Sequence, residues 1–142
     1  MGNFLVFLFT TVWMTGNVVP EKATPDHELL ACRLQLIGLK CIVTEGNVTA
    51  DAIYFKIDHG TYSEEWPKSR MNMSVGDYMD LREVNSIAVD GSVTFNMWDD
   101  DTFDPDDFLG NATLSCRDAG AGEKVTSFTL DGAHYKLYYK MY

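Results

Sequence analysis

The sequence predicts an all-β domain, an antiparallel sandwich of about eight strands. Three observations lead to this prediction. Short segments alternate apolar and polar residues, as strands buried on one face do. Two Asp-Gly pairs, at positions 90–91 and 131–132, are typical of two-residue hairpin turns because glycine tolerates a positive φ. No segment after residue 30 has a convincing helical period.

The strand candidates follow one another with short polar connections. The first is long and apolar-rich, and the third is broken at Val75-Gly76-Asp77, so that it holds one or two short strands. The last is rich in tyrosine, as half-buried strands often are. In order, the candidates are residues 33–43, 52–58, 71–81, 84–89, 92–98, 109–115, 125–130 and 133–141.

Length and composition are those of one domain with a short N-terminal segment. The chain has 142 residues, of which 46% are hydrophobic, enough for a sizeable core. We place the domain at residues 31–142 and the separate segment at residues 1–30. The net charge of −10 argues against nucleic acid as a partner, and it opposes unaided binding to anionic lipid.

The N-terminal segment contains an apolar run of 11 residues, 4–14. That length is typical of the core of a secretory signal peptide and is short for a membrane-spanning helix. No Lys or Arg precedes the run and no clear cleavage site follows it, so a packed segment or a membrane anchor is the alternative. Sequons at Asn47, Asn72 and Asn111 favour secretion. A cytoplasmic location is the alternative.

The strongest functional signal is a strand that runs into six aspartates within residues 93–110. Four of them, Asp99, Asp101, Asp104 and Asp107, recur at spacings of two, three and three residues. Their charges repel one another unless a hard cation lies among the oxygens, and Ca²⁺ accepts six to eight oxygen ligands. The alternative is a solvated acidic turn. An EF-hand is excluded, because the required glycine and glutamate positions hold Asp104 and Gly110.

The pattern DxDxxDxxDFLG after a strand resembles loop 3 of the C2 family of calcium-dependent phospholipid-binding domains. In that family a strand ends in Asp-x-Asp, and a third Asp follows six residues later, before an apolar pair and Gly. Asp99, Asp101, Asp107 and residues 108–110 fit this spacing. Asp104 falls where the family often has a further ligand. We call residues 99–107 loop 3.

The resemblance implies a second acidic loop, residues 45–51, which we call loop 1. Glu45 and Asp51 are six residues apart, as in the family. The usual Asp-Pro-Tyr is replaced by Asp51-Ala52-Ile53-Tyr54, with one extra residue and no proline. The resemblance extends over residues 31–142.

The resemblance also implies a ligand, a partner and a role for each loop residue. Ca²⁺ would be the cofactor, and a phospholipid membrane would be bound when Ca²⁺ is present. Phe103 at the tip of loop 3 and Val48 in loop 1 would contact the membrane; alternatively, Phe103 folds back and caps its loop. The expected metal ligands are Glu45, Asp51, Asp99, Asp101, Asp104 and Asp107.

Two circularly permuted topologies exist in the family, and they differ in the position of one strand. Residues 20–31 hold little strand-like sequence, whereas residues 134–141 form a good terminal strand. The sequence therefore predicts the phospholipase-type arrangement, with that strand at the C-terminus.

Three cysteines allow one prediction about the compartment. Cys32 and Cys41 lie on one predicted strand, about 30 Å apart when extended, and cannot pair. Cys32 begins the strand that runs to loop 1, and Cys116 ends the strand that leaves loop 3. In an oxidising compartment the expected disulfide is therefore Cys32–Cys116. In a reducing cell all three would be small buried side chains.

Evidence for an enzyme is poor, because the three histidines are scattered and no nucleophile or phosphate-loop motif occurs. Two function hypotheses follow. The first is a Ca²⁺-binding C2-like module that attaches to phospholipid membranes through its acidic loops. The alternative is a secreted or cell-surface structural β-sandwich in which Ca²⁺ only stabilises the fold or is absent. Any protein partner is unknown.

Overall fold

A computed structural model describes residues 30–47 and 49–142. The predicted signal segment and Val48 lie outside these residues. Within them, no helix is long and apolar enough to cross a membrane. Two three-residue 3-10 turns, Glu45–Asn47 and Cys116–Asp118, accompany the strands. The strands are β1 (Ala31–Val43), β2 (Asp51–Asp58), β3 (Ser63–Met73), β4 (Tyr78–Asp80), β5 (Ile87–Asp90), β6 (Ser92–Asp99), β7 (Asp107–Ser115), β8 (Glu123–Phe128) and β9 (His134–Met141).

The strands form two antiparallel sheets packed as a sandwich. One sheet has the order β4-β1-β9-β8, with β5 also paired to β1, and the other has the order β3-β2-β6-β7. The C-terminal strand β9 lies between β1 and β8. The all-β sandwich and its phospholipase-type topology are therefore confirmed.

The strand count is nine within the described residues rather than the predicted eight. The difference arises at residues 71–81, where β3 ends and β4 begins after a break at residues 74–77, which we call loop 2. β3 also starts earlier than predicted, at Ser63. Its charged residues and Pro67 make this part of β3 hard to recognise as a strand in the sequence. Proline is tolerated there because β3 is an edge strand.

The core lies between the inner faces of the two sheets. Phe55 packs edge-on against Phe95, with ring centroids 5.5 Å apart, and contacts Phe128 from the other sheet. Leu39 and Leu137 are cross-strand partners on β1 and β9, and both are fully buried. This packing fixes which face of each strand points outward.

A disulfide joins the two sheets at one end of the sandwich. Cys32 at the start of β1 is bonded to Cys116, the residue directly after β7, with Cα atoms 5.6 Å apart. Cys41 is a buried free thiol. The predicted pairing is confirmed.

Four connections meet at the opposite end of the sandwich. Strand register places Asp51 beside Met73, and Ile53 beside Asp99. It also places Val43 beside His134. Loops 1, 2 and 3 are therefore grouped with the turn between β8 and β9, residues 129–133.

Candidate functional site

Inward and outward side chains alternate along β6, and this alternation points Asp99 inward at the loop end of the sandwich. Its neighbours Met97 and Phe95 are buried at alternate positions, so Asp99 also points inward and is only 4% exposed. The Asp99 carboxylate accepts a hydrogen bond from the Ala52 N–H at 2.6 Å. This bond ties the start of loop 3 to the end of loop 1.

Asp51 is buried at the base of loop 1, with 1% of its surface exposed. One carboxylate oxygen, Oδ2, accepts hydrogen bonds from the Glu45 N–H at 3.0 Å and from the Tyr135 hydroxyl. The other oxygen, Oδ1, is buried and has no hydrogen-bond partner among the described residues. Such an oxygen is costly unless a donor or a cation satisfies it.

Tyr135 holds Asp51 from the core side. It projects inward from β9, is fully buried, and is the cross-strand partner of Cys41. Two donors therefore fix Oδ2, and only Oδ1 is left for a ligand. Asp51 is positioned by three elements, since β2 carries it while loop 1 and β9 supply the donors.

The carboxylates of the loops converge in two groups that share Glu45. Oxygens of Glu45, Asp99 and Asp101 lie within 4.8 Å of one another, as do oxygens of Glu45, Asp107 and Asp131. Two ligand oxygens on opposite sides of one Ca²⁺ are about 5 Å apart, because each Ca–O distance is about 2.4 Å. Both groups have the dimensions of a cation site. Asp51 belongs to neither group, although its charge contributes to the raised pKa of Asp99. We call the space among the residues of the two groups and Asp51 the cup.

The cup is electrostatically unfavourable while it holds only protein groups. Burial, followed by the charges of Asp51, Asp101 and Asp107, raises the pKa of Asp99 to about 6. The pKa of Glu45 is also raised, by burial and by nearby aspartates of both groups. Asp99 and Asp107 are direct cross-strand partners, an arrangement that destabilises a sheet when both are charged. A bound cation would relieve this repulsion.

The remaining acidic residues of loop 3 behave differently. Asp100 is ion-paired with Arg70, and Asp106 accepts a hydrogen bond from the Tyr54 hydroxyl. Neither was a predicted ligand. Asp104 was predicted to be a metal ligand, but it is exposed and belongs to neither carboxylate group. Its charge nevertheless contributes, after burial, to the raised pKa of Asp107. Its role as a ligand stays a prediction.

Sequence reasoning missed Asp131. It lies in the Asp-Gly turn between β8 and β9, which the sequence marks only as a hairpin. Its carboxylate reaches Glu45 because β9 pairs with β1, a contact between residues far apart in the chain. No local signal could have revealed it.

Two apolar side chains project from the loop end. Phe103 is 96% exposed, so it does not fold back over loop 3. Val75 in loop 2, which was not predicted as a contact residue, is 63% exposed. Loops 2 and 3 therefore present apolar groups beside an acidic cup, and contact of Phe103 with a membrane stays a prediction.

The raised pKa of Asp99 predicts that the metal-free protein becomes more stable as the pH falls from 7 to 5. Folded Asp99 takes up a proton near pH 6, whereas the unfolded residue does so near 3.8. Between these values the folded state binds more protons, so stability falls as the pH rises. Urea unfolding in EDTA at both pH values measures this effect. Asp99→Asn should weaken the dependence; an unchanged slope in that variant would contradict the assignment.

Comparison with known proteins identifies the fold. No family model matches the chain, and no curated protein matches it. The two tandem C2 domains of extended synaptotagmin 2 match with a TM-score of 0.52 and 17% identity, over 94% of this chain and 47% of that one. The chain therefore spans about half of that structure. At this identity the similarity establishes a C2-like fold.

Two further structures superpose less closely. A single C2 domain of plant extended synaptotagmin 1 matches with a TM-score of 0.47 and 10% identity, over 78% of this chain and 92% of that one. Human GIVD cytosolic phospholipase A2 has a TM-score of 0.48 and 8% identity, over 78% of this chain and 16% of that one. The fold assignment rests on the first comparison.

Proposed function

We propose that this C2-like domain binds Ca²⁺ in the cup and, when loaded, attaches to phospholipid membranes by its loop end. The observation that carries the proposal is the buried Oδ1 of Asp51, which has no donor among the described residues and lies in a region crowded with carboxylates. A buried charge of this kind is retained when a cation compensates it.

Ca²⁺ suits the cup better than a softer metal would. The candidate ligands are all carboxylate oxygens, and neither group contains a histidine or a cysteine. Hard divalent cations prefer such a set, and Ca²⁺ tolerates irregular geometry. Glu45, Asp99 and Asp101, with the free oxygen of Asp51, would hold one ion. Glu45, Asp107 and Asp131 offer a second position.

Ca²⁺ binding would change the loop end from a surface that repels an anionic membrane into one that binds it. The chain carries a net charge of −10, so an anionic bilayer repels it while the cup is empty. A Ca²⁺ ion held by these carboxylates would offer lipid phosphate oxygens its remaining coordination positions, since Ca²⁺ accepts six to eight oxygen ligands. The exposed ring of Phe103 and the methyl groups of Val75 would then enter the interfacial region and gain apolar transfer energy. This activity is binding, and it requires no catalytic group.

Phe103→Ala is expected to weaken Ca²⁺-dependent binding to liposomes about tenfold, which corresponds to loss of roughly half of a buried aromatic side chain. The Ca²⁺ affinity without liposomes should stay the same, because the phenyl ring of Phe103 is 96% exposed and offers no ligand atom. Liposome cosedimentation and calorimetric titration measure the two quantities.

The matched control is Tyr62→Ala. Tyr62 is an exposed aromatic in the turn between β2 and β3, at the end of the sandwich away from the cup. This substitution should leave both quantities unchanged. If Phe103→Ala binds liposomes as tightly as the wild type, loop 3 does not insert.

The alternative function is a secreted or cell-surface structural domain in which Ca²⁺ only stabilises the fold. The Cys32–Cys116 disulfide supports an oxidising, extracellular compartment for either function. Thermodynamic linkage between Ca²⁺ binding and lipid binding distinguishes the two functions. If Ca²⁺ affinity is the same with and without anionic liposomes, lipid is not a coupled ligand, and the structural function is favoured.

A further inference from the structure

The register of β3 against β2 shifts at Tyr54. The neighbours of Tyr54 on β2 are paired with Met71 and Trp66, so four residues of β3, 67–70, fall opposite this one residue. Such an insertion is a β-bulge, which bends its strand and changes the direction of its side chains. Here the bulge brings Arg70 over Tyr54, with the guanidinium carbon 3.8 Å from the centroid of the ring.

The ring of Tyr54 lies on the outer face of its sheet, because Ile53 and Phe55 on either side of it are buried in the core. Tyr54 is nevertheless only 1% exposed. The guanidinium of Arg70 covers it in a cation–π contact. The two side chains therefore fix each other's position, and the polar end of each reaches loop 3.

Loop 3 contains six aspartates, and the two that are not candidate ligands contact this stacked pair. Arg70 donates from Nε to the carboxylate of Asp100, and the hydroxyl of Tyr54 donates to Asp106. Arg70 also donates from Nη1 to Glu65 of β3 at 2.7 Å, which fixes the plane of the guanidinium. We call Arg70 and Tyr54 the clamp. The clamp holds loop 3 near both of its ends.

The contacts of the clamp restrain the carboxylates that form the cup. Asp100 lies between two candidate ligands, and Asp106 directly precedes another. The N–H of Asp100 also donates to the C=O of Ala52 at 3.1 Å, so both the backbone and the side chain of Asp100 are held. Six like charges in one loop favour an open loop, whereas hydrogen bonds to two of the carboxylates oppose opening. The clamp therefore stabilises the observed arrangement of loop 3 without any contribution from an ion.

We propose that Arg70 and Tyr54 are positioning residues, which hold loop 3 in the arrangement that binds Ca²⁺ and so raise the Ca²⁺ affinity of the cup without contacting the ion. The inference rests on the proposed function. The apparent Kd of a site is its intrinsic Kd divided by the fraction of molecules in the binding-competent arrangement. A clamp that increases this fraction lowers the apparent Kd.

The positive charge of Arg70 makes the sign of its effect decisive. A cation near a Ca²⁺ site repels the ion, so its removal would tighten Ca²⁺ binding if charge alone mattered. A positioning role predicts the opposite sign. A hydrogen bond between charged groups changes the population that it stabilises about tenfold or more. Arg70→Gln is therefore expected to weaken Ca²⁺ binding about tenfold.

Tyr54→Phe tests the same role without a change of charge. It keeps the ring beneath Arg70 and removes only the hydroxyl that contacts Asp106. It should fold as the wild type does and bind Ca²⁺ about fivefold more weakly. Asp100→Asn retains an oxygen that accepts a hydrogen bond from Arg70, so it should bind Ca²⁺ within about threefold of the wild type.

Two measurements on the full chain separate positioning from a contribution to stability alone. Calorimetric titration gives the Ca²⁺ affinity, and hydrogen exchange in EDTA reports how readily the amides of loop 3 open. In Arg70→Gln and Tyr54→Phe these amides should exchange faster than in the wild type, and saturating Ca²⁺ should restore their protection. Residues that only stabilise the fold would lower the free energy of unfolding in urea and leave the Ca²⁺ affinity of the folded protein unchanged.

The matched control is Arg82→Gln. It removes the same charge and an ion pair of the same kind, with Asp80, which lies on β4 of the other sheet. This variant should leave the Ca²⁺ affinity and the exchange of loop 3 unchanged. If Arg70→Gln binds Ca²⁺ as tightly as the wild type or more tightly, the clamp does not position loop 3, and the proposed function stands. Unchanged exchange of loop 3 in both clamp variants would overturn the clamp equally. If the wild type binds no Ca²⁺, the proposed function and this inference both fail.

Discussion

Millimolar Ca²⁺ is expected to raise the melting temperature of this protein by roughly 10 °C. A ligand that binds only the folded state stabilises it by about 2.7 kcal/mol when its concentration is one hundred times Kd. For a domain of this size, each kcal/mol shifts the melting temperature by about 4 °C. Relief of the repulsion among carboxylates such as Asp99 and Asp107 is part of the binding free energy that sets this Kd. Differential scanning calorimetry with EDTA and with Ca²⁺ measures it.

Asp101→Asn should abolish most of this rise, because it removes one charge from the group of Glu45, Asp99 and Asp101. Asp100→Asn is the matched control. It makes the same change at the adjacent position, whose carboxylate is paired with Arg70 and belongs to neither group. The control should retain the shift even if its starting stability is lower. An unchanged wild-type melting curve at millimolar Ca²⁺ would contradict the metal site.

The parts of the site that the sequence predicts are those that depend on local spacing. In loop 3, Asp99, Asp101 and Asp107 follow one strand, so their proximity needs no knowledge of the rest of the chain. The approach of Glu45 follows from the family resemblance, and the structure brings it to within 4.8 Å of Asp99 and Asp101. The same reasoning predicts Asp104 as a ligand, yet Asp104 is exposed at the loop and joins neither group.

The parts that the sequence does not predict depend on pairing between distant strands. Asp131 and Tyr135 approach loop 1 only because β9 lies beside β1 in one particular register. A shift of that register by one residue would turn Tyr135 to the outer face and Lys136 into the core. The hydrogen bond from Tyr135 that supports Asp51 could not be found without that register. The topology was predictable from strand order, and the cross-strand neighbours were not.

The disulfide between Cys32 and Cys116 leads to the second large prediction. Replacing both residues by alanine is expected to lower the free energy of unfolding by about 4.5 kcal/mol. The bond closes a loop with a sequence separation of 84, and closing a loop of that length removes entropy of this size from the unfolded chain. Urea unfolding of the wild type and the double variant measures the difference, and a reductant added to the wild type should reproduce it.

The double variant also tests whether the two ends of the sandwich are independent. The disulfide lies at the end away from the cup, and both of its cysteines are distant from Glu45 and Asp99. Where the variant remains folded, its Ca²⁺ affinity should therefore match that of the wild type within about twofold, since distant sites act additively.

Reductant should have no effect on the double variant, which serves as the control. Equal stability of the wild type with and without reductant would show that the bond does not stabilise the fold. A large loss of Ca²⁺ affinity in the folded variant would instead show that the bond holds the loops in place through the length of β1 and β7.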